Sequence, residues 1–273
     1  MNNRMGQPIQ NDRPKLIDLS VGLEPNTPSE PFPPSIEYFD HEHGAKLLTE
    51  RLQEIGFDDI AASDFPDGIG LAWEEIIAIT HAGTHMDAPW HYGPTTGVDD
   101  SKTIDEVPLE WCFGEAIVLD FTEKEPRTEI SADEIDTELE VIDHVLQEGD
   151  IVLIRTGADE LWGTPEYLTE FPGMSAEGTA YLADQGVKVI GTDAYGFDKP
   201  FAEMGRRYIE SGDQNELWPA HFAGRDIEYC QIEKMANLTK LPQTGAIIAA
   251  FPVNVHNGSA GWVRPVAFLE ADA

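Results

Sequence analysis

Positive charge is what this 273-residue sequence most lacks: 17 Lys and Arg stand against 51 Asp and Glu, a formal charge of −34. The acidic excess runs along the whole chain instead of gathering in a tail. Such a surface repels polyanions, which argues against nucleic acid and anionic membrane as partners. It also repels itself, a load that is tolerable where salt shortens the screening length to about 3 Å, so a salt-adapted protein is expected. Cysteine is scarce as well. Cys112 and Cys230 form no CxxC pattern, which excludes a disulfide framework or a thiolate zinc site and points to a reducing cytoplasm. Both are read as core residues. No run approaches the roughly eighteen apolar residues of a membrane span, and the opening residues lack the apolar core of a signal peptide.

What is present alternates between the two regular periods. Residues 1–15 are expected to be a flexible leader and 16–273 a single domain. Leu16–Leu23, Leu71–Thr80, Gly114–Phe121, Ile151–Ile154, Val187–Gly191, Ala246–Phe251 and Val263–Leu269 read as strands. Residues 24–35 carry five prolines and read as loop. Helices are expected over Ala45–Ile55 with Gly56 as the stop, after Ser131 with Glu134 closing a capping box, and from a Ser175 cap to Asp184. Strands alternating with helices give an α/β class. The polar stretch 199–220 reads as an irregular surface insertion.

Chemistry concentrates in His81-Ala-Gly-Thr-His85-Met-Asp87-Ala-Pro89-Trp-His91. Three imidazoles and a carboxylate this close supply the nitrogen and oxygen ligands of a divalent-metal site, suited to Zn²⁺ or Mn²⁺. Gly83, Thr84 and Pro89 make a poor helix, so a tight turn leading into extended chain is expected, with His85 and Asp87 on one side. A second cluster, His221 twelve residues before Glu233, also bears on the metal, although by spacing alone a solvated helix face with Glu228 and Glu233 exposed is the favoured reading. His41 and His43 read as surface groups. Trp73, Trp90, Trp162 and Trp218 could line an aromatic pocket or pack the core, with Trp90 the best placed for a substrate. Asp193 could touch the site or serve a structural hydrogen bond, and Arg155 and Arg264 could bind a substrate carboxylate or pair with acids.

The motif matches the HxGTHxDxPxH signature and so resembles the cyclase family of metal-dependent hydrolases, which includes bacterial kynurenine formamidases and isatin hydrolases. Arg155-Thr-Gly157, Gly191-Thr-Asp193, Ile232-Glu233 with Asn237-Leu238, and Arg264-Pro-Val-Ala267 are similar to that family's later motifs, so the resemblance runs from residue 16 to about 270. It implies a swivelling β/β/α-type fold with a central barrel-like mixed sheet flanked by helices. It implies that His81, His85, Asp87, His221 and Glu233 hold one or two ions, with His91 as general acid/base. The implied reaction is metal-dependent hydrolysis of a C–N bond in a small molecule, most like the arylformamidase conversion of N-formylkynurenine to kynurenine and formate. Opening of a cyclic amide or lactone is the second reading, and a non-catalytic metal- or ligand-binding protein the third. A homodimer or homotetramer is implied too. Two departures bear on substrate: Gly196 stands where relatives often carry Ser, and residues 199–219 are longer than in compact kynurenine formamidases.

Overall fold

A computed structural model describes residues 13–270; residues 1–12, most of the expected leader, lie outside them. The strands of three or more residues are β1 (Lys15–Asp18), β2 (Ser35–Phe39), β3 (Trp73–Ile77), β4 (His85–Asp87), β5 (Phe113–Asp120), β6 (Ile151–Arg155), β7 (Val189–Thr192), β8 (Cys230–Glu233), β9 (Ala246–Ala249), β10 (Ala260–Trp262) and β11 (Val266–Leu269). The α-helices are α1 (His41–Glu54), α2 (Pro89–Tyr92), α3 (Ala132–Val141), α4 (Ala176–Asp184), α5 (Phe201–Ser211) and α6 (Pro219–Ala223). The chain divides into two compact units, one of residues 24–26 and 32–79, the other of the remainder, at points where the sequence shows no linker.

The larger unit is the expected mixed α/β structure, a nine-stranded curled half-barrel sheet in the order β1-β11-β9-β5-β6-β7-β8-β4-β10. Its middle strands β5 to β8 run parallel, and both flanks are antiparallel. Of these, β5 to β7 are apolar on both faces over most of their length because both are covered, whereas β8 turns Gln231 and Glu233 to one face. Alternate residues fall into two cores: Val118, Leu153, Val189 and Ile232 on one side, and Ile117, Leu119, Val152, Ile154 and Ile190 on the other with Ile135 of α3 and Leu182 of α4. Cys112 and Cys230 are buried in the first core, as read from the sequence.

Local signals hold where side chains cap backbone. Ser131 Oγ accepts from the Glu134 amide while Glu134 accepts from the Ser131 amide, starting α3, and Ser175 caps α4. Helix α1 begins at His41, earlier than the apolar stripe indicates, because Asp40 accepts from the His43 amide. Gly56, at φ +99°, ends it as expected.

Two expectations are corrected. The stretch 199–220 is not irregular: it holds α5, then a short 3₁₀ turn, then α6. Glu203, Arg206, Arg207 and Glu210 pair at helical spacing, and Met204 is the buried anchor, so a mostly polar sequence stabilises itself as a helix. The strand expected over Leu71–Thr80 is shorter, belongs to the smaller unit and pairs with β2. It is not the element that holds the histidine motif, which has a strand of its own, β4, inside the large sheet.

Candidate metal centre

Sheet register builds the site. β4 lies between β8 and β10, with His85 opposite Glu233 and Asp87 opposite Gln231. Because side chains alternate along a strand, these four polar groups share one face while Met86 and Ile232 enter the core on the other. His85 and Asp87 are thus on the same side, as the turn-then-extended reading requires. His81 arrives from the preceding turn, where Gly83 takes φ +60°, a conformation glycine adopts at little cost. Thr84 Oγ1 accepts from the Val21 amide and donates to the Lys234 carbonyl, fixing the turn against both neighbouring segments. His91 is carried by α2, which Pro89 opens, and His221 by α6, which Pro219 opens.

All six residues singled out by the sequence converge. His81 Nδ1 is 2.8 Å and His85 Nε2 3.3 Å from Asp87 Oδ1. His85 Nε2 is 3.6 Å from Glu233 Oε2, and His221 Nε2 is 3.6 Å from Glu233 Oε1 and 4.0 Å from Asp87 Oδ2. His91 Nε2 lies 3.9 Å from Asp87 Oδ2, its ring centroid 4.3 Å from that of His81 and 5.5 Å from that of His221. His85 Nδ1 donates to the Gly83 carbonyl at 2.9 Å, which leaves Nε2 as a lone pair facing inward. Asp198 does the same for His221, binding its Nδ1 and accepting from the Ala220 and His221 amides.

The electrostatics describe a site short of positive charge. Asp87 is fully buried; burial opposes its ionisation, yet the imidazoles of His91, His85 and His81 hold its pKa well below the usual carboxylate range. Burial and the Asp87 charge raise Glu233. Burial lowers and Asp87 raises the His81 pKa, with a net rise. Desolvation and the neighbouring imidazoles bring His91 down to about 4, so at neutral pH it is an uncharged base at the solvent-facing edge of the site. His221 is pushed up to about 9, burial being outweighed by the Asp198 hydrogen bond and charge. With Nδ1 committed to Asp198, the proton in question is on Nε2, where a cation would replace it.

The donors fit a divalent ion. His85 Nε2 and Asp87 Oδ1 are buried and make no hydrogen bond, a costly state for such atoms unless an ion satisfies them. The residues His81, Asp87 and His91, and again His85, Asp87 and Glu233, bring one donor atom each within 4.8 Å of one another.

Other sequence candidates resolve as structural. Asp193 is buried and accepts from the Thr156 amide and hydroxyl and the Gly157 amide. Arg155 pairs with Asp120 and Arg264 with Asp18. His41 and His43 are exposed on α1. Trp73 stacks on Phe39, Trp162 meets Tyr167 and Trp218 meets Phe201 edge-on, while Trp90 is 45 % exposed beside His91. Gln231 and Asp198 contact the cluster and are not singled out by the sequence. A signal for Gln231 existed: Cys230-Gln-Ile-Glu233 alternates apolar and polar, the period of a strand with Gln231 beside Glu233. Asp198 gives none, being brought to His221 by tertiary folding across 23 residues.

Comparison with known proteins points to the family that the sequence motifs resemble. The Cyclase family model matches residues 17–199. An isatin hydrolase of Roseibium aggregatum is 25 % identical over 276 residues, covering 97 % of this chain and 95 % of its own. A kynurenine formamidase of Erythrobacter litoralis is 28 % identical over 189 residues, covering 68 % of this chain and 72 % of its own. Among solved structures, an isatin hydrolase bound to the product analogue thioisatinate superposes with TM-score 0.71 at 24 % identity, over 94 % of this chain and 93 % of that one. Isatin hydrolase A from Ralstonia solanacearum gives 0.70 at 22 % identity, over 94 % and 92 %. At these identities the superpositions speak for the fold.

Proposed function

The chain belongs to the cyclase family, and from that premise we propose that it is a metal-dependent hydrolase of a C–N bond in a small amide, with His81, His85, Asp87, His221 and Glu233 as the metal ligands. The convergence of these five side chains, of which His85 Nε2 and Asp87 Oδ1 are buried without a hydrogen bond, carries this reading. Zn²⁺ or Mn²⁺ suits the donor set, and when bound it supplies Lewis acidity and lowers the pKa of water towards neutrality. The chain's own residues do the rest. His91, uncharged at neutral pH and at the open edge, takes a proton from the attacking water and returns it to the leaving nitrogen. Asp198 and the Gly83 carbonyl keep the tautomers of His221 and His85 that direct lone pairs inward.

The leading substrate is a formamide such as N-formylkynurenine. A cyclic amide such as isatin is the second reading, favoured by a specific observation: the isatin hydrolase aligns over almost the whole chain, whereas the kynurenine formamidase aligns over about two thirds. The test is hydrolysis of both compounds by chelator-stripped protein in molar KCl, before and after Zn²⁺ or Mn²⁺. Turnover is expected only with metal restored, and the faster substrate identifies the branch. Protein that rebinds metal and hydrolyses neither would sink the reading. His91→Ala is expected to lose on the order of 10²–10⁴ in kcat while keeping its metal content; loss of the ion instead would make His91 a ligand.

A homo-oligomer belongs to the same proposal. In the smaller unit only Pro34, Gly44 and Ala45 are buried, while Phe32, Tyr38, Ile55, Phe57, Leu71 and Ile77 are each more than half exposed. These exposed side chains are apolar surface that a partner would cover, and a second copy is the occupant we assign. Because each copy carries 34 excess negative charges, association and thermal stability should both rise from low salt to molar KCl, as in a salt-adapted protein. Light scattering of the wild type and of Leu71→Glu/Ile77→Glu checks this: the wild type assembles with salt and the variant stays monomeric. A wild type monomeric at every salt concentration would refute it.

A further inference from the structure

We infer that Ser259 is a positioning residue that commits His81 to meet the ion through Nδ1, the opposite ring nitrogen from the one the other histidine ligands present. This rests on the metal reading above and extends it to a residue outside the ligand set. His85 and His221 are each held at Nδ1, by the Gly83 carbonyl and by Asp198, and turn Nε2 to the centre. His81 is the reverse. Its Nδ1 lies 2.8 Å from Asp87 Oδ1, and its Nε2 lies 3.2 Å from Ser259 Oγ.

A neutral imidazole offers one nitrogen to a cation only when the other carries the proton. The Ser259 oxygen accepts the hydrogen bond from Nε2–H, which leaves Nδ1 beside Asp87 Oδ1, close enough for one cation to touch both. Turning the ring over would put a carbon against each oxygen and forfeit both contacts together. The choice of nitrogen follows from the path of the chain. His81 sits in the turn before β4, its carbonyl tied to Lys234 Nζ at 2.9 Å, and Nδ1 is the ring nitrogen nearer the backbone.

Ser259 is itself held in place. It precedes β10, whose first residue, Ala260, is opposite Asp87. The Ser259 carbonyl accepts from the Ala88 amide at 2.9 Å, and the Gly258 carbonyl accepts from the Ile104 amide at 2.8 Å. Backbone hydrogen bonds thus fix a hydroxyl contributed from 178 residues along the chain. Replacing Ser259 by Ala removes the oxygen and none of these bonds. A hydroxyl is also a milder partner than the carboxylate that serves His221. It fixes the tautomer without adding a further negative charge to a centre that already holds Asp87 and Glu233.

The test reads the nitrogen and the residue separately, on the full chain. Chelator-stripped wild type, Ser259→Ala and Ser259→Thr are titrated with Zn²⁺, unfolded by urea in chelator, and loaded with an NMR-active cadmium isotope for proton–cadmium correlation. Cadmium couples to both ring carbon protons of a histidine bound through Nε2, and to Hε1 alone when Nδ1 binds. The His81 ring, its signals assigned from their absence in ion-free His81→Gln, is expected to show the Hε1 coupling alone. Ser259→Ala is expected to bind Zn²⁺ about 10–100-fold more weakly with its urea midpoint unchanged, and Ser259→Thr, which keeps the hydroxyl, to bind like wild type. Coupling of His81 to both protons overturns the proposal and leaves the metal reading standing, and so does wild-type affinity in Ser259→Ala. A Ser259→Ala protein that loses stability along with affinity, with no recovery in Ser259→Thr, makes Ser259 a packing residue and also overturns it. Failure of both variants to fold has the same meaning. A wild type that binds neither Zn²⁺ nor Cd²⁺ overturns the metal reading as well.

Discussion

Asp87→Asn is expected to abolish ion binding and to lower hydrolysis by roughly 10⁴-fold or more, as befits loss of a group on which the metal chemistry depends, and to leave the ion-free protein less stable than chelated wild type at neutral pH. Activity falls because Asp87 alone faces every imidazole of the centre, lying within 4.0 Å of His81, His85, His91 and His221. Stability falls because the imidazoles hold the folded-state pKa of Asp87 well below the usual carboxylate range. A carboxylate whose pKa is depressed on folding stabilises the folded chain above its unfolded pKa, and the neutral amide forfeits that contribution. Relief of the Asp87 charge on Glu233, whose pKa it raises, offsets only part of the loss. Metal content, turnover and the urea midpoint in chelator, measured on the same two proteins, separate the effects. An Asp87→Asn protein that still binds Zn²⁺ or Mn²⁺ and turns over would remove Asp87 from the centre. One that retains neither yet is as stable as chelated wild type would show that the imidazoles do not stabilise the Asp87 charge in the ion-free fold.

The same residues show what a sequence carries and what it withholds. The candidate ligands on His81–His91 were legible because nitrogen and oxygen donors are packed into eleven residues, and local geometry follows from Gly83 and the extended run after it. The parallel strands were legible because burial on both faces leaves unbroken apolar runs. Glu233 was harder. It lies on a four-residue strand whose alternation is too short to separate from one face of a helix, and only pairing with β4 turns it inward. Helix α5 was hidden for the opposite reason, its stability coming from charge pairs at helical spacing in a stretch that composition marks as polar loop. Asp198, Glu30 and Lys234 were invisible: each acts through a partner far along the chain, and no local pattern encodes such a meeting.

Glu30 and Lys234 supply the largest effect on folding. Lys234 follows Glu233 directly, at φ +58°, and its ammonium donates to both Glu30 oxygens at 2.8 Å and to the His81 carbonyl at 2.9 Å. Glu30 in turn accepts from the Gly83 amide at 2.7 Å. Both side chains are at least 95 % buried, and no apolar pair could reproduce these hydrogen bonds to the turn that delivers His81. Lys234→Met leaves Glu30 as a buried carboxylate without its counter-ion, and such breakage costs about 3–5 kcal/mol. Glu30→Gln strands the ammonium and should cost a similar amount. The double variant has no stranded charge, so it should be several kcal/mol more stable than the sum of the single losses predicts. The turn loses its anchor in all three, so ion affinity should weaken even in the double variant, where most of the stability has returned. Urea unfolding of the chelated proteins gives the coupling, and Zn²⁺ titration gives the affinity. Single losses below about 1 kcal/mol would show that the pair is solvated enough to be dispensable. Unchanged ion affinity in a folded double variant would show that His81 holds its place without the Glu30–Lys234 clamp.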